Sequence, residues 1–155
     1  MTGSTVHVVC CSCGAINRIP SDRPAQQAKC GTCHQPLFAG TPITADAATF
    51  ERHITRNDIP VIVDFWAPWC GPCQAMAPAF EQAAGELEPG YRLLKVDTEE
   101  EPTLAARYDV RSIPMLMLFI GGNPVARRAG ASDTRGIVSW ARAHGTDKQP
   151  SAKPN

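Results

Sequence analysis

Several features that would mark a nucleic-acid-binding, membrane or secreted protein are missing from the 155 residues. Lys and Arg together number 15, as do Asp and Glu, so no charge excess points to nucleic acid or anionic membranes. No apolar run approaches the roughly 20 residues that span a bilayer. Residues 1–9 lack a basic start followed by an apolar stretch, so no signal peptide is predicted. We expect a cytoplasmic monomer with no nucleic-acid partner and no membrane association.

A complete set of cysteine pairs is also missing, because the chain contains seven cysteines. An odd number argues against a scaffold built only from disulfides, and in a reducing compartment clustered cysteines more often bind metal or catalyse. The cysteines fall into an N-terminal group and a later pair. The first group is Cys10, Cys11, Cys13, Cys30 and Cys33, and the pair is Cys70 and Cys73.

The chain is organised around the stretch from Val61 to Cys73. Its apolar, β-rich start predicts a buried strand over 61–66, and the residues from Gln74 to Leu87 favour a helix. Cys70 then lies where the helix begins, and the unpaired N–H groups and dipole at a helix N-terminus favour a thiolate. Thiolates attack disulfides, and Cys73 lies one turn on, within reach of Cys70. A lone Cys-X-X-Cys is also compatible with half a metal site or chance, but this context favours a redox-active pair.

Residues 61–73, with Trp-Cys-Gly-Pro-Cys at 69–73, resemble the active-site strand and motif of thioredoxin. The resemblance implies an α/β fold with a mixed central sheet flanked by helices. It also implies a protein-disulfide reductase in which Cys70 attacks and Cys73 resolves, with no bound organic cofactor. The partners implied are disulfide-containing client proteins and thioredoxin reductase.

Further site residues follow from the same resemblance. Asp64 matches a buried aspartate that exchanges a proton with the cysteine pair, and Lys95 stands where the family has a lysine that pairs with it. Ser112-Ile113-Pro114 is similar to the family's cis-proline loop, although Met115 follows where Thr is usual. Trp66 is expected to pack beneath the site. An apolar rim for the substrate peptide is expected at Trp69, Pro72, Ile113, Gly130 and Ala131.

The N-terminal cysteines have the spacing of a structural zinc site. Cys10-X2-Cys13 is followed, after 16 residues, by Cys30-X2-Cys33, and four thiolates complete a tetrahedron around a zinc ion (Zn2+). So small a module has little apolar surface to bury, so a metal would stabilise it. Residues 13–20 are similar to the first knuckle of zinc-containing bacterial thioredoxins.

Some assignments in the N-terminal module stay open at this stage. The four cysteines can instead form two disulfides if the protein is secreted. Cys11 can replace Cys10 in a shorter knuckle, and His34 can serve as a ligand. Gly14 and Gly31 follow ligands at positions where such a knuckle often needs a positive φ.

The remaining pattern divides the chain into a zinc-binding module at 1–40, a thioredoxin domain at 41–145 and a disordered tail at 146–155. Residues 35–44 show no periodicity and are interpreted as the junction. Helices are predicted over 46–57, up to 108 and after 133. In the first of them, His53 is expected at the surface or its boundary and not as a ligand. The helix ending at 108 is expected to start from a capping box of Thr98 and Glu101, and the last helix from Ser132 or Asp133. Strands are predicted over 91–97, 115–120 and 125–129.

Two other function classes fit parts of this pattern. An oxidase or isomerase of disulfides would need an oxidising compartment. A non-catalytic binding module would use the fold only as a scaffold, and the intact cysteine pair argues against it.

Overall fold

The computed structural model describes residues 4–145, and the predicted disordered tail lies outside them. No helix within this range is long and apolar enough to cross a bilayer. The strands are β1 Thr5–Val9, β2 Ile16–Pro20, β3 Ile43–Thr44, β4 Val61–Trp66, β5 Arg92–Asp97, β6 Met115–Ile120 and β7 Asn123–Ala129. The helices are α1 Ala47–Arg56, α2 Gly71–Leu87, α3 Pro102–Arg107 and α4 Thr134–Gly145, and Ala25–Gln27 form a short 3-10 helix.

A five-stranded mixed sheet in the order β3-β5-β4-β6-β7 forms the larger part of the molecule. β3, β5 and β4 run parallel, while β6 is antiparallel to β4 and β7 is antiparallel to β6. β1 and β2 form a separate antiparallel hairpin in the N-terminal module. This arrangement confirms the α/β fold and the mixed central sheet that the sequence predicts.

Alternate residues of the central strands point to opposite faces of the sheet, as the period of a strand requires. On one face Ile62 packs with Phe80 of α2 and Ile137 of α4. On the other face Val63 and Phe65 belong to a second cluster that includes residues of α1 and α3. The sheet is therefore covered by helices on both faces, and the run of buried residues in β4 has a core on each side.

The predicted strands over 61–66 and 115–120 are confirmed at those limits, and the last helix is capped by Asp133, which accepts a hydrogen bond from the Gly136 N–H at 2.8 Å. The capping box is wrong. The Thr98 hydroxyl donates to the Trp66 carbonyl at 3.1 Å, and Glu101 makes no side-chain cap. The Thr98 hydroxyl therefore ties the loop to the end of β4 instead of starting α3.

The junction and His53 also differ from prediction. Residues 35–44 contain the short strand β3, and Leu37 and Phe38 are buried in the core of the N-terminal module. His53 is only 2% exposed because β1 and α1 pack together around it. The expected surface position of His53 is therefore wrong.

Candidate functional site

Cys70 and Cys73 are joined by a disulfide at the start of α2. Cys70 is the N-cap residue, its sulfur accepts a hydrogen bond from the Cys73 N–H at 3.2 Å, and Cys73 lies in the first turn. Both side chains are at least 96% buried by Ala67, Trp66 and Ile113. The position of Cys70 confirms the prediction that the helix begins at this cysteine. A thiolate there would lie against the positive end of a 17-residue helix.

The loop before β6 faces the cysteine pair. The peptide bond between Ile113 and Pro114 is cis, and the Ile113 carbonyl oxygen lies 3.8 Å from the Cys70 sulfur. The Gly130 N–H donates to the Pro114 carbonyl at 2.9 Å, and Gly130 has a φ of +93°. The structure therefore brings Cys70, Ile113, Pro114 and Gly130 together, and Ala131 follows directly and is exposed.

Trp69, in the turn between β4 and α2, and Pro72, in the first turn of α2, are exposed on either side of Cys70. Trp69 is 68% exposed, whereas the other exposed large apolar residue among residues 4–145, Val125, is 39% exposed. Its indole N–H donates to the Glu99 carboxylate at 2.9 Å. The sequence did not reveal this contact, through which Glu99 fixes the orientation of an exposed ring beside Cys70.

Asp64 is a buried, unpartnered carboxyl group in β4. It is 1% exposed, and neither oxygen has a hydrogen-bond partner among the described residues. Burial raises the pKa of Asp64 to about 7, although the charge of Lys95 opposes the shift. Lys95 is the cross-strand neighbour of Asp64 but makes no ion pair with it, because its ammonium lies 4.5 Å from the centre of the Trp66 ring. The alternation of β4 puts Asp64 on the α2 side with Ile62.

The buried carboxyl group predicts a pH-dependent loss of stability that Asp64→Asn should remove. A raised folded pKa means that the free energy of unfolding falls as pH rises from the unfolded pKa of about 4 to about 7, then stays level. The loss is on the order of 4 kcal/mol, because burial opposes ionisation and each pKa unit corresponds to about 1.4 kcal/mol. Urea unfolding of the oxidised protein between pH 4 and 8 measures it. The free energies of unfolding of Asp64→Asn and of the wild type should diverge as the pH rises over that interval.

The exposed residue Asp22 supplies the matched control. Asp22→Asn makes the same chemical change at the surface, so its stability curve should run parallel to that of the wild type. Parallel curves for Asp64→Asn as well would contradict a raised pKa at Asp64.

Four cysteine sulfurs of the N-terminal module form a compact cluster. The Sγ atoms of Cys10, Cys13, Cys30 and Cys33 all lie within 4.8 Å of one another, and the Cys10–Cys33 and Cys13–Cys30 pairs are 3.6 Å apart. A tetrahedron with zinc–sulfur bonds of about 2.3 Å has edges of about 3.8 Å. The cluster therefore fits a tetrahedral metal ion with four sulfur ligands, without an open coordination position.

The two knuckles repeat the same hydrogen bonds. The Cys10 N–H donates to the Ala15 carbonyl and the Cys30 N–H to the Gln35 carbonyl, each at 2.8 Å. In each knuckle the residue after the second cysteine has a positive φ, +80° at Gly14 and +66° at His34. The expectation of a positive φ at Gly31 is wrong, because the turn places this conformation one residue past Cys33.

Two of the sulfurs, those of Cys10 and Cys30, also accept backbone hydrogen bonds that favour a thiolate, although burial and the neighbouring cysteines raise the pKa of Cys33 to about 12. The N–H of Ser12 donates to the Cys10 sulfur at 3.2 Å, and the N–H of Thr32 to the Cys30 sulfur at 3.3 Å. Backbone N–H groups led by that of Cys33, together with the Asn17 amide, lower the pKa of Cys30 to about 5. Metal binding needs deprotonated sulfur, so these hydrogen bonds suit a metal centre.

Cys10 belongs to the sulfur cluster, whereas Cys11 and His34 do not. The Cys11 sulfur lies outside the cluster, 3.4 Å from the Pro36 carbonyl oxygen, and the cluster does not include His34.

We therefore predict a single zinc ion per chain for the wild type and for Cys11→Ser. Cys10→Ser should lose most of the bound metal because it removes one corner of the tetrahedron. Zinc analysis after gel filtration measures this, and equal losses in the two variants would contradict the assignment.

A buried polar network joins the metal module to the sheet. Arg92, fully buried at the start of β5, donates from Nη2 to the carbonyls of Val9 at 2.7 Å and Leu37 at 3.0 Å. Its Nη1 lies 3.7 Å from the Glu88 carboxylate, which accepts a hydrogen bond from the Gly40 N–H at 2.8 Å. The sequence does not predict this network, because no local feature distinguishes Arg92 from Lys95, the other cation of β5.

A second part of the network involves α1. The Val9 N–H donates to the Asn57 side-chain oxygen at 2.8 Å, and the Asn57 amide lies 2.9 Å from the His53 Nδ1. Burial, together with the charges of Arg92 and Arg52, lowers the pKa of His53 to about 3. His53 is therefore neutral at physiological pH and serves as a buried hydrogen-bonding group.

Comparison with known proteins agrees with this geometry. The family model described as thioredoxin matches residues 41–143, which include both cysteines of the disulfide and the loop that faces them. The chain belongs to the thioredoxin family. A second model, described as thioredoxin 2, N-terminal, matches residues 9–35, which carry all four clustered cysteines.

Individual thioredoxins are similar over different shares of the chain. Thioredoxin C-3 of Corynebacterium nephridii is 44% identical over 133 residues, which cover 86% of this chain and 91% of that protein. A thioredoxin of Porphyra purpurea is 46% identical over 84 residues, 54% of this chain and 78% of that one. The solved structure of a mutant thioredoxin from Halobacterium salinarum NRC-1 gives a TM-score of 0.63 at 29% identity, over 70% of this chain and 94% of its own. The protein is a thioredoxin-type disulfide reductase.

Proposed function

We propose that this thioredoxin reduces disulfides in partner proteins through the dithiol of Cys70 and Cys73. The observation that supports the proposal is the disulfide between these residues at the N-terminus of α2, beside the loop of Ile113 and Pro114. A reduced pair at this position closes into the Cys70–Cys73 disulfide when it gives two electrons to another disulfide. The exposed Trp69 and Pro72 offer an apolar surface on which the partner can lie.

In the first step the Cys70 thiolate attacks one sulfur of the partner's disulfide. The partner's sulfur–sulfur bond breaks, a mixed disulfide with Cys70 forms, and the released partner thiolate takes up a proton. The N-terminus of α2 supports this step because its N–H groups stabilise the attacking thiolate. The carbonyl of Ile113 and the Gly130 N–H bonded to Pro114 hold the loop against which the partner peptide rests.

In the second step Cys73 resolves the mixed disulfide. The Cys73 thiol gives its proton to the Asp64 carboxylate, and the thiolate attacks the Cys70 sulfur. The partner leaves with its second sulfur as a thiolate that is then protonated, and the Cys70–Cys73 disulfide forms. Asp64 suits this role because a pKa of about 7 allows it to accept and return a proton near neutral pH.

Regeneration returns two electrons to the Cys70–Cys73 disulfide, and the family resemblance assigns this step to thioredoxin reductase. We place the protein in the cytoplasm. Support comes from the five remaining cysteines, which are all unpaired in the structure, four of them grouped as metal ligands. A reducing compartment keeps such thiols available.

We assign Cys10, Cys13, Cys30 and Cys33 to one structural Zn2+ ion in a module that ends near residue 40, before a catalytic domain at 41–145. Bound zinc would link the two knuckles of a module whose own buried core is small. The four sulfurs leave no coordination position for a substrate, so the metal takes no part in disulfide exchange.

The proposed function is tested by mixing the protein with insulin, NADPH and thioredoxin reductase and measuring the rate at which NADPH is consumed. We expect NADPH consumption that depends on both proteins and on insulin. Reduction of this thioredoxin by the reductase without turnover of insulin would instead favour a binding module. No reaction in either step would contradict the proposal.

A further inference from the structure

The N-terminal module carries a basic cavity that the proposed function does not use. The cavity has a volume of about 450 Å3 and lies between β2 and the segment that follows it. Ile19 and Leu37, both at most 7% exposed, contribute apolar surface at its base. Its cationic residues are Arg18, Arg23 and Lys29.

The charge of the module is concentrated at this one place. Residues 4–40 contain three Lys or Arg residues, all of which line the cavity, and a single acidic residue, Asp22, which does not. None of the three cationic side chains makes a hydrogen bond or ion pair with residues 4–145. The cysteine sulfurs receive their hydrogen bonds from backbone N–H groups and Asn17, so the cations are not engaged with the metal centre.

The backbone beside the cavity is an open strand edge. On β1, the outward N–H groups of His7 and Val9 and their carbonyls are bonded to Asp58, Asn57 and Arg92 of the catalytic domain. In an antiparallel pair, successive residues direct their N–H and carbonyl groups to opposite sides of the strand, so Val6 and Val8 make the hydrogen bonds to β2. On β2, the residue opposite His7 is Arg18, whose N–H and carbonyl consequently point away from β1.

No strand among residues 4–145 pairs with this outer edge of β2. An open edge can accept an extended peptide as a further strand, with main-chain hydrogen bonds for affinity and side-chain contacts for specificity. Because Arg18 belongs both to the edge and to the cavity, a peptide that pairs there runs beside all three cations.

We propose that the outer edge of β2 binds an extended acidic segment of a partner protein as a third strand. Carboxylates of the segment pair with Arg18, Arg23 and Lys29, and its apolar side chains contact the base of the cavity. A nucleic acid fits less well, because none of the residues that line the cavity has an aromatic ring on which a base could stack.

The binding test uses the full-length, zinc-loaded protein and three labelled probes in fluorescence anisotropy. The probes are a peptide of alternating Glu and Val, the same peptide with Lys in place of Glu, and a single-stranded DNA oligonucleotide. We expect the acidic peptide to bind at least about 10-fold more tightly than the other two, with an affinity that falls as salt screens the charges. Tighter binding of the DNA, or no measurable binding of the acidic peptide at millimolar concentration, would overturn the proposal.

Two further measurements separate the charges from the strand edge. Arg18→Glu and Arg23→Glu should each weaken binding of the acidic peptide, and together they should weaken it at least about 10-fold. Arg135→Glu, the same single change at an exposed position of α4, should leave binding within about 2-fold. Zinc content and melting temperature check that the double variant is folded. An acidic peptide methylated at alternate backbone nitrogens should also bind more weakly, because it cannot donate to the Arg18 carbonyl. Equal effects of the changes at Arg18, Arg23 and Arg135, or equal binding of the methylated peptide, would contradict the third-strand arrangement.

Discussion

Cys70→Ser reduces the rate of insulin reduction to the background rate, and Cys73→Ser leaves the first attack intact but blocks release of the partner. The physical reason is the different position of the two sulfurs. Cys70 occupies the N-cap of α2, where a thiolate is stabilised, whereas Cys73 lies inside the first turn. Only the thiolate at Cys70 is set to attack first, and only Cys73 is placed to displace the partner.

The measurement is mass spectrometry of each variant after incubation with insulin, without added reductant. Cys73→Ser should accumulate a mixed disulfide on Cys70, and Cys70→Ser should form no adduct. Cys11→Ser, which changes an unpaired cysteine away from the site, is the matched control and should turn over at the wild-type rate. An adduct on Cys73 in the Cys70→Ser protein would reverse the two roles.

Arg92→Met lowers the free energy of unfolding by about 3–5 kcal/mol, the usual effect of breaking a buried ion pair. The side chain keeps much of its length but loses its charge and its donors. Glu88 then stays buried without its cation, and the carbonyls of Val9 and Leu37 lose the hydrogen bonds that join the metal module to the sheet. Urea unfolding at neutral pH measures the change.

The control and a partial rescue make this prediction specific. Arg135→Met is the same substitution at an exposed position of α4 and should change stability by less than about 0.5 kcal/mol. Adding Glu88→Leu to Arg92→Met should restore part of the loss, because no unpaired charge remains, but the carbonyls of Val9 and Leu37 still lack donors. A loss at Arg92 no greater than that at Arg135 would contradict a structural role for the buried network.

The sequence predicts the active-site region well because its signals are local. The strand from Val61 to Trp66 is apolar except for Asp64, and the helix follows within a few residues, so the sequence places Cys70 at the start of the helix. The two-residue spacing between cysteines favours Cys10 over Cys11 as the ligand, and the cluster of sulfurs agrees with it.

Features that depend on the contact between the module and the sheet were not predictable in the same way. Arg92 and Lys95 are both cations in a short apolar strand, but only Arg92 is covered by the module, and nothing local distinguishes them. His53 is buried for the same reason. The strand β3 has two residues, too few for an alternating pattern, and becomes recognisable only through its pairing with β5.

The length of helix α2 determines how long a partner must be to contact both Cys70 and the junction beside Gly40. Cys70 is the N-cap residue of this helix, and Glu88 is its C-cap residue. The Glu88 carboxylate accepts a hydrogen bond from the Gly40 N–H at the junction. At 1.5 Å per residue, the 17 residues of the helix measure about 25 Å. An extended chain advances about 3.3 Å per residue, so a ligand needs roughly eight residues to bridge that length. Small disulfides such as cystine therefore meet the reactive sulfur alone, whereas a folded protein or a long loop can contact the metal module during the same encounter.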